Sequence, residues 1–320
     1  MTRFNENELP LVTVGIPTYN GAQRIGKAIQ SIVNQDYPNI EILISDNAST
    51  DDTEAVCRKF AADYPNIRYH RQPENLGIFN NFDYVKHHAS GAYFMWLSDD
   101  DVIKPGLVQA YAEFLNAYPD YSMVCAQTNY WKEGKFMHTE TGLSIEQASP
   151  LKRMVSMFMK NQGAGAIFGL MRTECANQLQ WRRILGSDWY FMAGMAFQGK
   201  VKQLDFVGMQ RDMGGVSETH KKMARIYGEA PIWGHFPYLR ITMGTFIDVL
   251  KAPVYGRLPL LVRLFAAIWA AGAMAWTYFV SVFLHSAAGG LLRLFRIRTP
   301  QERMRTQSRE ERVFAGENRE

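Results

Sequence analysis

Over the first 130 residues, apolar runs of strand length alternate with segments of helical period. Leu11–Pro17 (LVTVGIP) reads as a buried strand, and Arg24–Asn34 follows with Ile25, Ala28, Ile29 and Ile32 at helical spacing. Ile40–Ser45 predicts a second strand, after which Ser49 is placed to cap a helix beginning at Asp51-Asp52. A third strand is expected at Ile67–His70, a helix at Phe79–His88 and a fourth strand at Ala92–Leu97 (AYFMWL). Lys104–Tyr118 completes the alternation as a helix and Tyr121–Gln127 as a strand. Strands separated by helices imply right-handed βαβ units and a mostly parallel sheet flanked by helices, a Rossmann-like α/β fold.

Beyond this region the pattern loosens. Trp131–Gln147 is polar and reads as a loop; Leu151–Lys160 and Arg182–Phe197 read as helices, and Val201–Val207 as a strand. Asp212–His220 is a Gly-rich connection, followed by a helical region from about Lys221 to Leu250. Leu264–Leu284 carries no charged residue and is long enough for a bilayer span. It is rich in alanine, however, and has arginines on both sides, so insertion energy is marginal and charge asymmetry is missing. Trp269, Trp276 and Tyr278 lie inside the run, which suits an interfacial depth, and Ala267, Ala271 and Ala275 form a small-residue stripe for helix packing or homo-oligomerisation. A single span, a hairpin or re-entrant element, in-plane helices and a lipid-free buried hairpin or subunit interface all remain open. The Arg/Glu-rich residues 301–320 read as disordered.

Composition narrows the partners. A net charge of +4 does not argue for nucleic acid. Cys57, Cys125 and Cys175 lack metal-ligand spacing and read as free thiols in a reducing compartment. The N-terminus MTRFNENELP lacks a signal-peptide core, so the main domain is expected in the cytosol, where the acceptor pattern Asn47-Ala48-Ser49 is a chance match. Gly163, Gly165 and Gly169 do not have dinucleotide-binding spacing, there is no phosphate-binding P-loop, and the histidines form no zinc pattern.

The candidate chemistry lies after the strands. Ser98-Asp99-Asp100-Asp101 follows the fourth strand, at the sheet edge where parallel α/β sheets bind ligands. Adjacent carboxylates repel unless a cation intervenes, and oxygen ligands suit Mg2+ or Mn2+ bridging to a diphosphate; a solvated, helix-capping turn is the plain alternative. Asp46 ends the second strand at the same edge and can accept from a base N–H, or can simply order its turn. Pro17, Thr18, Tyr19 and Asn20 follow the first strand and can frame a nucleotide, or form an ordinary turn.

Together, GIPTYN, ISDNASTDDT, ENLGIFNNF and WLSDDDVIKPG resemble the inverting family 2 glycosyltransferases of the GT-A fold, strongly over Leu11–Gln127 and more weakly to Ser217. The ISDNAST and LSDDD segments are similar to those of bacterial surface-polysaccharide transferases, including deoxysugar transferases. The resemblance implies a GT-A domain over residues 1–220; it is absent over the C-terminal hydrophobic region, where the apolar run and the charge pattern instead mark a membrane-associating helical region over 221–298 and a charged tail over 299–320. It implies nucleoside contacts from Thr18, Tyr19 and Asp46, and a nucleotide-side loop at Asn75 and Gly77. The metal-binding motif falls on Asp99, Asp100 and Asp101. Asp99 and Asp101 satisfy a literal DxD, whereas aligning DDV with LDADDV selects Ser98 and Asp100, with Asp100 the expected ligand.

The implied general base is Asp188 in GSDWYF, which spacing alone reads more readily as a helix N-cap. Arg211 and His220 flank a loop resembling the diphosphate side of the site, with Arg211 on the leaving group and His220 toward the metal; an ordinary polar loop is the equal alternative for both. The donor implied is a nucleotide diphosphate-sugar, UDP or dTDP favoured by Asp46, and the acceptor a lipid-linked or cell-surface glycan hydroxyl at the cytoplasmic face of the cell membrane, the inner membrane in a bacterium. Nucleotidyl transfer and a non-catalytic scaffold that retains the sugar-nucleotide fold are the competing readings.

Overall fold

The computed structural model describes residues 9–160, 165–213 and 219–294, with side chains of the last helix described through Phe279. The chain divides into two compact units, Met1–Met274 and Ala275–Glu320. In order, the elements are β1 (Val12–Thr18), α1 (Ile25–Val33), β2 (Ile40–Asp46), α2 (Thr53–Asp63), β3 (Ile67–Arg71), α3 (Ile78–His87), β4 (Tyr93–Trp96), β5 (Val102–Ile103), α4 (Leu107–Ala117), β6 (Tyr121–Lys132) and β7 (Lys135–Glu140). They continue with α5 (Pro150–Met159), β8 (Leu170–Arg172), α6 (Thr173–Asn177), α7 (Ser187–Gln198), β9 (Lys200–Asp212), α8 (His220–Ile226), α9 (Pro237–Lys251) and α10 (Leu260–Leu294).

Among the described residues the sheet has nine strands in the order β3-β2-β1-β4-β8-β6-β9-β5, with β7 paired to β6. Strands β3, β2, β1 and β4 are mutually parallel, as are β6 and β9, while β8, β5 and β7 pair antiparallel. Every residue of β1 and β2 is buried, as in strands covered on both faces, with Val12, Val14, Ile16, Ile42, Leu43 and Ile44 in the core and the polar Thr18, Ser45 and Asp46 at the carboxyl ends. Trp96 is wholly buried at the centre, edge-on to Phe94, Trp181 and Phe191 at 5.0, 5.0 and 5.2 Å.

Several expectations are corrected. Trp131–Gln147 is not a loop at its start: β6 runs to Lys132 and returns as β7 through Glu133 and Gly134, both at positive φ (51° and 74°). Two consecutive positive-φ residues match the twist of a two-residue hairpin, although Glu-Gly lacks the usual Asn or Asp signal. Ser49 does not cap α2; Asp52 holds the N-cap position and the Ser49 hydroxyl accepts from the Asn20 amide instead. The helix expected from Arg182 starts at Ser187, because Gly186 is left-handed at φ 81°. The Lys221–Leu250 region is two helices, broken at Gly228 (φ 71°) and the following Pro231 and Pro237. Strand β9 extends through Arg211 and Asp212, which therefore lie in the sheet; residues 214–218 of the Gly-rich connection and the tail 299–320 lie outside the described residues. The run Leu264–Leu284 lies inside one continuous helix, which excludes a hairpin within it. Its segment Leu260–Phe279 is long and apolar enough to cross a membrane.

Candidate active site

The carboxyl ends of β1, β2 and β4 carry three loops that are tied together mainly by side-chain hydrogen bonds to backbone. After β1, Asn20 takes a left-handed conformation (φ 50°), its amide donating to Ser49 Oγ at 2.9 Å and its Oδ1 accepting from the Thr50 amide at 2.8 Å. The Gly21 amide donates to Thr53 Oγ1 at 2.8 Å. Tyr19 is left exposed.

Asp46 is wholly buried. Its Oδ1 accepts from the Ser49 amide (2.9 Å), and its Oδ2 from Tyr69 Oη (2.8 Å) and the Arg71 guanidinium (3.1 Å). The carboxylate thus organises the loop that follows β2, with most of its accepting capacity already occupied. The next residue carries the link onward: Asn47 donates to Asn75 Oδ1 (2.9 Å) and accepts from the Leu76 amide (2.8 Å). Asn75 Oδ1 also accepts from the Gly77 amide at 2.9 Å, and Gly77 holds φ 80°, a conformation suited to glycine, beside the Arg183 guanidinium. The Asn75–Gly77 loop is therefore assembled on the β2 loop.

The acidic turn after β4 does not present three equivalent carboxylates. Asp99 accepts from Thr18 Oγ1 at 2.6 Å and pairs with Arg24 at 3.1 Å. Asp101 is wholly buried, its Oδ2 accepting from Arg211 Nε at 2.8 Å and its Oδ1 without a hydrogen-bond partner. Asp100 reaches the surface; its carboxyl is pushed above the usual range by desolvation and then by neighbouring Asp99. Arg211 lies in β9, 4.1 Å over the Phe168 ring, and Tyr130 on adjacent β6 donates to buried Glu140 at 2.6 Å.

Asp188 is the second residue of α7, not its N-cap, which is Gly186. Burial raises its carboxyl to about 6, opposed by the amides of Trp189 and its own residue and by Arg211. Arg211 also opposes the raised values of Asp100 and Asp101, so one guanidinium acts electrostatically on all three carboxylates. His220 is the first residue of α8, edge-on to Tyr238 at 5.5 Å, and burial lowers its pKa.

Among the described residues, no three His, Cys, Asp or Glu side chains stand together as a ready-made metal cage. Mg2+-type sites use one or two carboxylates and complete themselves with water and substrate phosphates. The surface carboxylate of Asp100 and the unpartnered Oδ1 of Asp101 fit that requirement, whereas Asp99 is already committed to Thr18 and Arg24.

The sequence profile described as Glycosyl transferase family 2 matches residues 13–179. The chain belongs to that family. The match takes in all three loops and the acidic turn; Asp188 and Arg211 lie beyond it. Among curated relatives, the GalNAc(5)-diNAcBac-PP-undecaprenol beta-1,3-glucosyltransferase of Campylobacter jejuni is 30% identical over 160 residues, covering 48% of this chain and 50% of that one. This chain thus spans about half the length of that relative. The fragment TarS 1-349 from S. aureus in complex with UDP-GlcNAc superposes with a TM-score of 0.56 at 15% identity, over 79% of this chain and 69% of that fragment. A mannosyltransferase from Pyrobaculum calidifontis in complex with GDP-Man and Mn2+ gives 0.53 at 17% identity, over 95% and 85%. These likenesses establish the GT-A fold.

Four functional candidates escaped the sequence reading of this family 2 chain: Arg24 and Arg71, which hold Asp99 and Asp46, Asn81, and Arg183 beside Gly77. Asn81, buried in α3, accepts from Ser45 Oγ at 2.6 Å and donates to the carbonyls of Ser45 and Thr18, at 3.0 and 3.3 Å. It lies inside the quoted motif ENLGIFNNF, but nothing in the spacing distinguishes it from neighbouring Asn80.

Proposed function

We propose that this chain is an inverting glycosyltransferase that moves a sugar from a nucleotide diphosphate-sugar to a hydroxyl of a lipid-linked or cell-surface glycan. The observation that carries the reading is the acidic turn at the carboxyl edge of a family 2 fold, where Asp100 reaches the surface and Arg211 holds Asp101 at 2.8 Å. The relative named for an undecaprenol-linked acceptor and the neighbours carrying UDP-GlcNAc and GDP-Man support the substrate classes.

In this reading Pro17, Thr18, Tyr19, Asn20 and the Asn75–Gly77 loop frame the nucleoside, with Asp46 fixing the loop that reads the base. Asp100, with Asp101, would hold a divalent cation, Mn2+ or Mg2+, which would neutralise diphosphate charge. Arg211 keeps Asp101 in place and adds positive charge near the leaving group. The ionised Asp188 carboxylate takes the proton of the acceptor hydroxyl. That oxygen bonds to the anomeric carbon as the bond to the diphosphate breaks, and the nucleoside diphosphate departs with the electron pair. A single displacement of this kind inverts the anomeric centre. No particular observation favours nucleotidyl transfer or a scaffold role.

Membrane attachment in this reading rests on α10, whose Leu260–Phe279 segment is long and apolar enough to cross a membrane and leaves Leu261, Phe265, Ile268 and Trp276 exposed. It attaches the chain to the cytoplasmic face of a membrane, where soluble donor and lipid-linked acceptor meet. Transfer assayed with UDP-, dTDP- and GDP-sugars, with and without Mn2+, tests the reaction. Metal-stimulated release of nucleoside diphosphate with an inverted product is expected; no turnover of any donor with lipid-linked acceptors rejects the proposal.

A further inference from the structure

Helix α9 carries an apolar signal of its own, apart from that of α10. Its inner face buries Ile241, Gly244, Thr245, Asp248 and Val249. This face is fixed to α7 and the segment before it: Tyr190 Oη donates to the Ile241 carbonyl at 3.0 Å, and Asp248 pairs with Arg182 at 3.1 Å. A side chain at Gly244 would collide with the Tyr190 hydroxyl, so the helices are as close as glycine permits.

The outer face is apolar instead of polar. Phe236, at its N-cap, and Leu239, Met243 and Ile247 are 55, 54, 45 and 40% exposed. Their spacing of three, four and four residues places them on one side of the helix.

The first turns of α10 show the same inversion. Ala266, Ala267, Ala270 and Ala273 are buried, whereas Leu261, Phe265, Ile268 and Trp269 are 69, 69, 55 and 48% exposed. A water-facing helix buries its bulky side chains and shows its small or polar ones; this one does the reverse, as lipid contact favours. Arg263 donates to the Leu250 carbonyl at 3.2 Å, which joins the start of α10 to the end of α9.

Charge selects among apolar partners. Residues 219–263 hold seven Lys and Arg and two acids, Glu229 and Asp248. Both acids are neutralised by arginines, Glu229 by Arg240 at 2.8 Å and Asp248 by Arg182. The apolar stripe is thus accompanied by an excess of positive charge from Lys221, Arg225, Lys251 and Arg257, all exposed. An apolar face with basic neighbours fits an anionic phospholipid surface, whereas two copies of the same face would set like charges together.

We propose that the outer face of α9, together with the first turns of α10, is a docking surface for an anionic phospholipid bilayer. It lies one helix from the proposed base, since Trp189, next to Asp188, packs against Tyr238 of α9 with ring centroids 6.4 Å apart. Docking therefore holds the acceptor side of the site at the lipid surface, and the inference rests on the attachment proposed for α10.

The test uses the full chain reconstituted in vesicles, with an environment-sensitive label at Met243→Cys in a Cys175→Ser background, Cys57 and Cys125 being buried. Lys59→Cys on α2, exposed and packed near the β2–β3 edge, serves as control. In phosphatidylglycerol-containing vesicles the label at 243 should shift to the blue and be quenched by brominated lipid; both effects should be lost in pure phosphatidylcholine, with the label at 59 unquenched throughout. Protein that floats with the vesicles while its label at 243 stays unquenched overturns the α9 surface alone. Protein that does not float overturns the α10 attachment with it. Shielding at 243 that persists in lipid-free detergent and disappears on dilution assigns the face to a second copy and overturns the proposal.

Discussion

Arg211 in β9 donates through Nε to Asp101 Oδ2 at 2.8 Å, so the last carboxylate of the acidic turn is held by a strand 110 residues further along the chain. Both partners are largely or wholly out of solvent. Removing one member of a buried pair leaves the other charge uncompensated and costs roughly 3–5 kcal/mol. Arg211→Ala should therefore lower the urea midpoint strongly and weaken donor binding, with Arg211→Lys intermediate. A loss below about 1 kcal/mol, as for exposed pairs, would show that the bond does not organise the turn.

Asp188 should behave as a base that must be ionised. Burial raises its carboxyl to about 6, so kcat/KM should climb as pH rises through that region and then level. Asp188→Asn should retain donor affinity while turnover falls by roughly 10²-fold or more. Full turnover in Asp188→Asn would remove the residue from the mechanism.

The same shift has a stability consequence of opposite sense. Asp188 favours its neutral form in the folded chain, so its contribution to stability is present below the ordinary carboxylate range and is lost as pH rises through about 6. Asp188→Asn, which cannot ionise, should melt higher than the parent above that pH and match it under acidic conditions. Equal melting temperatures at both ends would argue that Asp188 ionises without hindrance.

Of the three acidic-turn residues, Asp100 should carry the metal response most directly. It is at the surface, whereas Asp99 and Asp101 are tied to arginines. Asp100→Asn should fold normally but lose the Mn2+-dependent part of the thermal shift produced by donor, because bound ligand stabilises by mass action. An unchanged Mn2+ response would move the ligand role to Asp101.

A side chain at Gly21 would overlap Asp99 Oδ2 and Thr18 Oγ1, the contact that joins the β1 loop to the acidic turn. Gly21→Ala should weaken donor binding about tenfold or more, ~1.4 kcal/mol, by calorimetric titration. Unaltered affinity would mean that the loop yields without cost.

The local pattern of apolar residues determined the alternation of strands and helices through Gln127, because βαβ units write their periods in consecutive residues. It also determined which loops sit at the carboxyl edge, since parallel strands all end there. The hairpin from β6 to β7 was hidden because Glu133-Gly134 is an unusual turn pair whose positive φ angles are sustained by the strands it joins. How the acidic turn divides its work depends on long-range contacts. Three adjacent aspartates are indistinguishable in sequence, and become different when Arg24 and Arg211, far away in the chain, each claim one. The same holds for Asp46: strand-end position made it a candidate base contact, but Tyr69 and Arg71 on the neighbouring strand occupy it. For α9 and α10, hydropathy marked an apolar region, while which side chains face outward depended on packing against α7 and on the buried alanines. Composition sets how much apolar surface a helix carries; only its neighbours decide which part remains uncovered.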